Sequence, residues 1–290
     1  MLWLIYAVGA AVFAALTTVL AKVGIRDVDS HVATLVRTGV VLVFAWVLVF
    51  IVGAQGGIGE ISGGLWLLVL LSGLATGGSW LCFFRALQLG AVNKVVPIDK
   101  SSTILTMVLA FIFLAEPVGA VMLIGMGLMA LGTWLMLEME NDAHTPSSKA
   151  WLFYAVAAAV FAALVAIIGR LGVAEMDATL WTALRTGVVI PLSFLMVCIT
   201  GGVKKLGEIS RRSGVFLVLS GVATGVSWLF FYHALAVGNA SLVVPIDKLS
   251  IVLTMGFAAV FLGEKFSRRS VLGLALLTAG TLLPVVHSLV

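Results

Sequence analysis

The 290 residues are 62% hydrophobic and only 10% charged, with 17 basic against 13 acidic side chains for a formal charge of +4 and a mean hydropathy of +1.21. Too few polar groups remain to cover a water-facing surface, which excludes a soluble globule and a disordered chain; two cysteines, Cys82 and Cys198, both in apolar runs, exclude a disulfide-stapled secreted scaffold. The basic residues are scattered between apolar blocks rather than gathered with aromatics on one polar face, so they argue against nucleic acid as a partner and for orienting the chain in a lipid bilayer.

Ten apolar stretches, at 3–21, 32–52, 65–89, 91–114, 118–138, 151–169, 180–200, 214–237, 240–262 and 270–288, are each long enough to cross the hydrocarbon layer as a helix. They lack the alternation of a barrel strand and are about twice its length, so a closed barrel is excluded. The first stretch has no basic leader and has a counterpart in mid-chain, and is expected to be part of the mature protein rather than a signal peptide. Shifting the sequence by 148 positions aligns its halves without a gap, and about 59 of 139 pairs are identical. WLIYAVGAAVFAAL returns as WLFYAVAAAVFAAL, LSGLATGGSWLCFFRAL as LSGVATGVSWLFFYHAL, and VVPIDKSSTILTM as VVPIDKLSIVLTM. Five spans per half is an odd number, so the second half must enter the membrane upside down. The expected fold is an all-α integral membrane protein of ten transmembrane helices in two inverted five-helix repeats, 1–139 and 151–290, joined by a polar linker at 140–150 containing Pro146.

By parity, the turns after the odd-numbered spans share one side, and these hold Lys22, Arg26, Lys94, Lys149, Lys204, Lys205, Arg211, Arg212, Lys265, Arg268 and Arg269; the opposite turns hold little beyond Arg170. The positive-inside bias then puts the linker in the cytosol and both termini outside, in a bacterial-type inner membrane.

Two ordered copies of SWLxFFRAL or its variant, VVPIDK and FL(A/G)E, covering nearly the whole chain, resemble the EamA repeat of the drug/metabolite transporter superfamily. The resemblance implies a secondary transporter with ten helices in inverted halves around a central cavity, moving small metabolites or drugs by alternating access. It also implies cytosolic termini, opposite to the charge reading.

Ionisable groups at membrane depth are costly, so those recurring in both halves are the candidate site. Arg37 and Arg185 fall in the second span of each half, Arg85 and His233 in the third, and Asp99–Lys100 and Asp247–Lys248 in the fourth. Mutual neutralisation of Asp with Arg or Lys is the bland alternative. Pro97 and Pro245 each delete a helical hydrogen bond, freeing the carbonyls of Asn93 and Ser241, which is expected to break the helix beside a cavity. Trp80, Phe83 and Phe84, with Trp228, Phe231 and Tyr232 opposite, form aromatic faces able to stack a substrate or hold a cation, or simply to pack. Substrate binding is therefore assigned to Arg37, Arg185, Arg85, His233, Trp80, Trp228, Phe84, Tyr232, Lys100 and Lys248, and proton coupling to Asp99 and Asp247. Glu116 and Glu264, at the membrane edge, are expected to cap or pair structurally. Gly125 and Gly132, repeated as Gly273 and Gly280, suit close helix contact within the monomer or between copies in a homodimer.

No HExxH, GxSxG or Walker pattern is present, and the four histidines are dispersed, so neither metal nor cofactor is called for and no enzyme is expected. An excess of Arg and Lys over Asp in the candidate site favours an amino-acid-like zwitterion or an organic anion as substrate. An aromatic box with an aspartate counter-ion would instead suit a lipophilic or quaternary cation. An intramembrane aspartyl hydrolase and a non-transporting assembly protein are further alternatives.

Overall fold

The computed structural model describes residues 2–24, 28–89, 95, 98–99, 101–136, 150–262 and 267–289. Its helices are α1 (Leu2–Gly24), α2 (Ser30–Val52), α3 (Gly63–Leu89), α4 (Ser102–Leu114), α5 (Ala120–Met136), α6 (Ala150–Glu175), α7 (Ala178–Ile199), α8 (Arg211–Val237), α9 (Ala240–Lys248), α10 (Ser250–Leu262) and α11 (Arg268–Leu289). Short 3-10 turns, Ala54–Glu60 and Gly202–Glu208, follow α2 and α7. Among the described residues, eight segments are long and apolar enough to cross a membrane, with α9 and the start of α10 counted as one; α4 and α5 are shorter apolar helices. The chain is an all-α, multi-pass membrane protein.

Local chemistry sets the helix ends, and it repeats. Asp29 accepts from the His31 amide at 3.0 Å to cap α2, and 148 residues on, Asp177 caps α7 through the Thr179 and Leu180 amides at 2.8 and 3.1 Å. Ser62 and Ser210 cap α3 and α8 in the same way. Gly53 and Gly201 terminate α2 and α7 at φ of 76° and 72°, a left-handed turn that a side chain would strain.

Three of the expected spans differ from the observed helices. The one at 151–169 continues to Glu175. The one at 240–262 is divided at Leu249, whose amide turns back to the Ile246 carbonyl at 2.9 Å, and the equivalent Ser101 amide reaches Ile98 at 3.2 Å ahead of α4, so the first-half span at 91–114 is likewise interrupted. Pro245 itself stays inside α9, as the sixth of its nine residues, and the break falls four residues later than the proline. Pro97, with Lys94, Lys100, Glu264, Lys265 and most of the linker, lies outside the described residues.

Packing crosses between the halves. The first helix of each half lies against the third helix of the other, α1 on α8 and α6 on α3, while α2 packs on α7 and α5 on α11. Hydroxyls fasten these contacts in matched pairs: Ser79 donates to the Ala158 carbonyl at 3.1 Å and Ser227 to the Ala10 carbonyl at 2.9 Å. The buried faces of α1 and α6 are nearly all alanine and glycine, which lets backbones approach where no water drives association. Large side chains such as Ile5, Phe50, Ile51, Phe113 and Phe153 point outward, as a lipid solvent permits. Gly125 and Gly132 meet Gly280 and Gly273 across the α5–α11 seam, so the small-residue face works within the chain.

Asp29 is also paired with Lys205, Nζ to Oδ2 at 3.2 Å, joining the turn after α1 to the turn after α7. Partial burial raises the Asp29 carboxyl, but the His31 amide and the Lys205 ammonium outweigh it and hold the group below its ordinary 3.8. A depressed native value stabilises the fold above the ordinary value and loses that contribution as pH falls through the lowered one. The Tm difference between wild type and Asp29→Asn in detergent is therefore expected at pH 7 and should close in acid below pH 3.8.

Candidate functional site

The second helix of each half carries its arginine seven residues from the helix start, Arg37 in α2 and Arg185 in α7. Each reaches across to a threonine on the third helix of the other half. The Arg37 Nη2 donates to Thr224 Oγ1 at 3.0 Å, and the Arg185 Nη2 donates to Thr76 Oγ1 at 2.6 Å. Both threonines give their own proton to the carbonyl one turn back, Ser220 at 2.7 Å and Ser72 at 2.9 Å, and so present a lone pair to the guanidinium.

The two arginines are not equally satisfied. Arg185 is 2% exposed, donates also through Nε to Ser72 Oγ at 3.2 Å, and lies over the rings of Trp228 and Tyr232 at 4.9 and 5.3 Å. In the other half Ser220 spends its hydroxyl on the Thr17 carbonyl at 2.9 Å, and the buried Arg37 Nε is left with no acceptor among the described residues. Among the described residues neither guanidinium is in ion-pair contact with a carboxylate. A buried cation held by hydroxyls and aromatic faces is incompletely compensated, since neutral acceptors offset its desolvation less than a carboxylate does.

Two adjoining cavities contain these groups. One, of about 430 Å³, is lined by Arg37, Thr34, Asp99, Thr224 and Phe83 among others. Its neighbour, of about 310 Å³, holds Arg185, Thr76, Asp247, Lys248 and Tyr232. Ser79, Trp80 and Trp228 line both and form the wall between them. Each lobe thus contains the arginine and aspartate of one half with the threonine of the other. Asp247 and Lys248 are only loosely associated, at 3.9 Å. These volumes suit a small metabolite.

Of the residues assigned from sequence, Arg37, Arg185, Asp99, Asp247, Lys248, Trp80, Trp228 and Tyr232 converge on the two lobes. Arg85 and His233 do not line them. Arg85 borders a separate cavity on the flank, and the His233 Nδ1 lies 2.8 Å from the Leu229 carbonyl, with its ring 5.5 Å from Tyr6. Their positions near the end of the third helix lie beyond the reach of the central cavity. Lys100 and Pro97 are outside the described residues, and so is the Phe84 side chain. Pro245 does not border the lobes, although its neighbours Val244 and Asp247 do. The hydroxyl partners Ser72, Thr76 and Thr224 were missed. Their signal was present as LSGLATG and LSGVATG, where serine and threonine stand one turn apart in both halves.

Glu116 works across the halves as well. Its carboxylate, 7% exposed, accepts from the Ala240 and Ser241 amides at 2.7 and 2.9 Å and so caps the start of α9, the helix that carries Asp247. Glu116→Ala leaves those amides without partners and is expected to cost about 1–2 kcal/mol, read as a lowered Tm.

Residues 1–138 and again 149–286 match the EamA-like transporter family. The chain is 44% identical over 136 residues to an uncharacterized transporter in the cobO 3′ region of Sinorhizobium sp, a match covering 47% of this chain and 96% of that protein. A crystal structure of a protein 15% identical in sequence superposes with a TM-score of 0.79, over 97% of this chain and 96% of its own, a likeness of fold.

Proposed function

That this chain belongs to the EamA-like transporter family is the premise from which we propose that it carries a small carboxylate-bearing zwitterion, such as an amino acid, or an organic anion across the membrane by alternating access. The observation that carries the reading is the pair of membrane-depth guanidiniums, one of them with a buried Nε lacking an acceptor, that have no carboxylate partner among the described residues and face cavities of metabolite size. A substrate carboxylate supplies the missing acceptor with a charge-assisted bond. Substrate amine or ring groups then fall to Asp99 or Asp247 and to the two shared tryptophans.

Alternation follows from the duplication. Two inverted five-helix halves, with the broken fourth span counted as one helix, give ten spans and set Arg37 and Arg185 about 10 Å in from opposite surfaces. The Asp29–Lys205 pair is consistent with this parity, because it joins two turns that must then share a side. On the charge bias that side is cytosolic, with the linker at 140–150, and both termini lie outside. Rocking of the halves would open one lobe at a time, with Trp80 and Trp228 as the partition between them.

Flux of amino acids, organic anions and quaternary amines through the purified, reconstituted protein tests the assignment. Zwitterions or anions are expected to move. Selective flux of quaternary amines would favour the second reading, an exporter of lipophilic cations, for which the tryptophans beside Asp99 and Asp247 provide the motive. Flux of nothing in the panel would reject both.

Asp99 and Asp247 are the groups proposed to couple transport to protons, since a carboxylate exposed to each side in turn can load and release one. The double change of Asp99→Asn with Asp247→Asn is expected to remove the acceleration of uptake by an imposed pH gradient. Undiminished pH-driven uptake would end that role.

A further inference from the structure

A third cavity, of about 350 Å³, opens on the flank between α2, α3, α6 and α7 and, among the described residues, shares no lining residue with the central lobes. Its polar members sit close to helix ends: His31 is the second residue of α2, Arg85 stands four residues before the end of α3, and Thr200 is the C-cap of α7. That is about one helical turn, roughly 6 Å, from the membrane boundary, the depth of headgroups. One turn deeper the wall is apolar, with Leu81 and Cys82 on α3 and Met196 on α7. Ile199 and Leu81 are 69% and 40% exposed, so the cavity is open to the hydrocarbon around the protein. Arg85 itself is exposed.

The other half shows what this crevice becomes when filled. At the positions 148 residues away, Phe230 replaces Cys82, His233 replaces Arg85, and Tyr6 answers Tyr154. The Phe230 ring packs 5.9 Å from Tyr6 and is stacked 5.9 Å from Phe13, and His233 is engaged with the carbonyl of its own helix. Duplicated helices thus close the position with aromatic rings in one half. In the other they keep space, a permanent cation and a small side chain.

We propose that the flank cavity binds an anionic phospholipid, with its phosphate on Arg85 beside His31 and Thr200 and the first part of an acyl chain against Leu81, Cys82 and Ile199. A planar guanidinium at headgroup depth recognises a phosphate diester, and the apolar wall below it excludes a fully soluble ligand as the preferred occupant. The site stands independently of what the central lobes transport.

The test is a thermal melt of the purified protein in neutral detergent with added phosphatidylglycerol, phosphatidylcholine of the same acyl chains, or glycerol phosphate, together with native mass spectrometry. Phosphatidylglycerol is expected to raise Tm by a few degrees in a saturable manner and to leave one retained lipid per chain, with a clearly smaller shift from phosphatidylcholine and none from glycerol phosphate. Arg85→Gln should remove the difference between the two lipids. Cys82→Phe, which fills the crevice as the other half does, should remove the retained lipid, whereas His233→Gln should change neither. Equal shifts with the two lipids, a full response to glycerol phosphate, or lipid retained by Cys82→Phe would each overturn the proposal. Should Arg85→Gln fail to fold, Cys82→Phe still decides it through the space rather than the charge.

Discussion

Replacing Arg185 with glutamine is expected to cut uptake of zwitterions or anions into proteoliposomes by about a hundredfold or more, while leaving the Tm of the detergent-solubilised protein unchanged or slightly higher. The loss follows from removing one charge-assisted bond to the substrate, about 1.5–3 kcal/mol at a buried site, together with the charge that draws an anion into the lobe, where each 1.4 kcal/mol is about tenfold. The unaltered stability follows from what Arg185 touches. Its partners are the Ser72 and Thr76 hydroxyls and the faces of Trp228 and Tyr232, with no carboxylate in contact among the described residues, so removing the charge strands no buried counter-ion. Glutamine can still donate to a hydroxyl. Groups kept for function at a cost to the fold behave in this way, whereas an arginine that only fastened α7 to α3 would lower Tm when removed and leave flux intact. That second pattern would contradict the role given to it. The same change in a cation exporter should leave flux of a quaternary amine standing.

The largest effect on stability is expected from Gly132→Leu. A Cβ at this position would lie 2.5 Å from the Leu277 amide nitrogen and 2.6 Å from the Gly273 carbonyl oxygen, and these are backbone atoms of α11 that cannot turn aside. The seam is built this way along its length, since a Cβ on Gly125 would meet the Gly280 carbonyl at 2.6 Å and one on Gly280 would meet the Gly125 carbonyl at 2.6 Å. In lipid such contact is itself the driving force for association, so forcing α5 and α11 apart forfeits dispersion along both helices. A loss of at least about 3 kcal/mol is expected, read as a Tm lower by on the order of 10 °C. Gly127→Leu is the control, because a Cβ there has nothing within 4 Å among the described residues. If both leucines melted alike, the seam would not be the constraint described.

Much of the architecture could be read along the chain because it depends on local sums. Eight of the ten apolar stretches coincide with single helices to within a few residues apart from the long extension to Glu175; the one at 240–262 holds two helices divided at Leu249, and the one at 91–114 is helical from Ser102 to Leu114. The caps Asp29 and Asp177 and the left-handed Gly53 and Gly201 recur at the repeat interval because each helix end is satisfied by its own neighbours. Half of the candidate site was legible for a related reason. Arg37, Arg185, Asp99 and Asp247 stand out because a charge within an apolar run is expensive wherever the helix is placed.

What the chain did not disclose concerns direction and partnership. A helix apolar on every side gives no periodicity to tell its cavity face from its lipid face, so Arg85 and Arg37 look alike in sequence, yet one borders the flank and the other a central lobe. The threonines that hold the arginines belong to the opposite half, and so do the amides that Glu116 caps; no spacing within a repeat could have paired them. Leu249, an ordinary leucine, is where the fourth span of the second half breaks, four residues beyond Pro245, and nothing in its own chemistry marks the place.

The sequence by itself determined that this is a duplicated membrane protein with ionisable groups at matched depths, since hydropathy and repetition are properties of residues taken in order. Only the tertiary structure decided which of those groups share a cavity. That depends on how each helix is rotated and crossed against helices from the other half, and small residues at the contacts fix those angles without leaving a pattern that one strand of sequence can show.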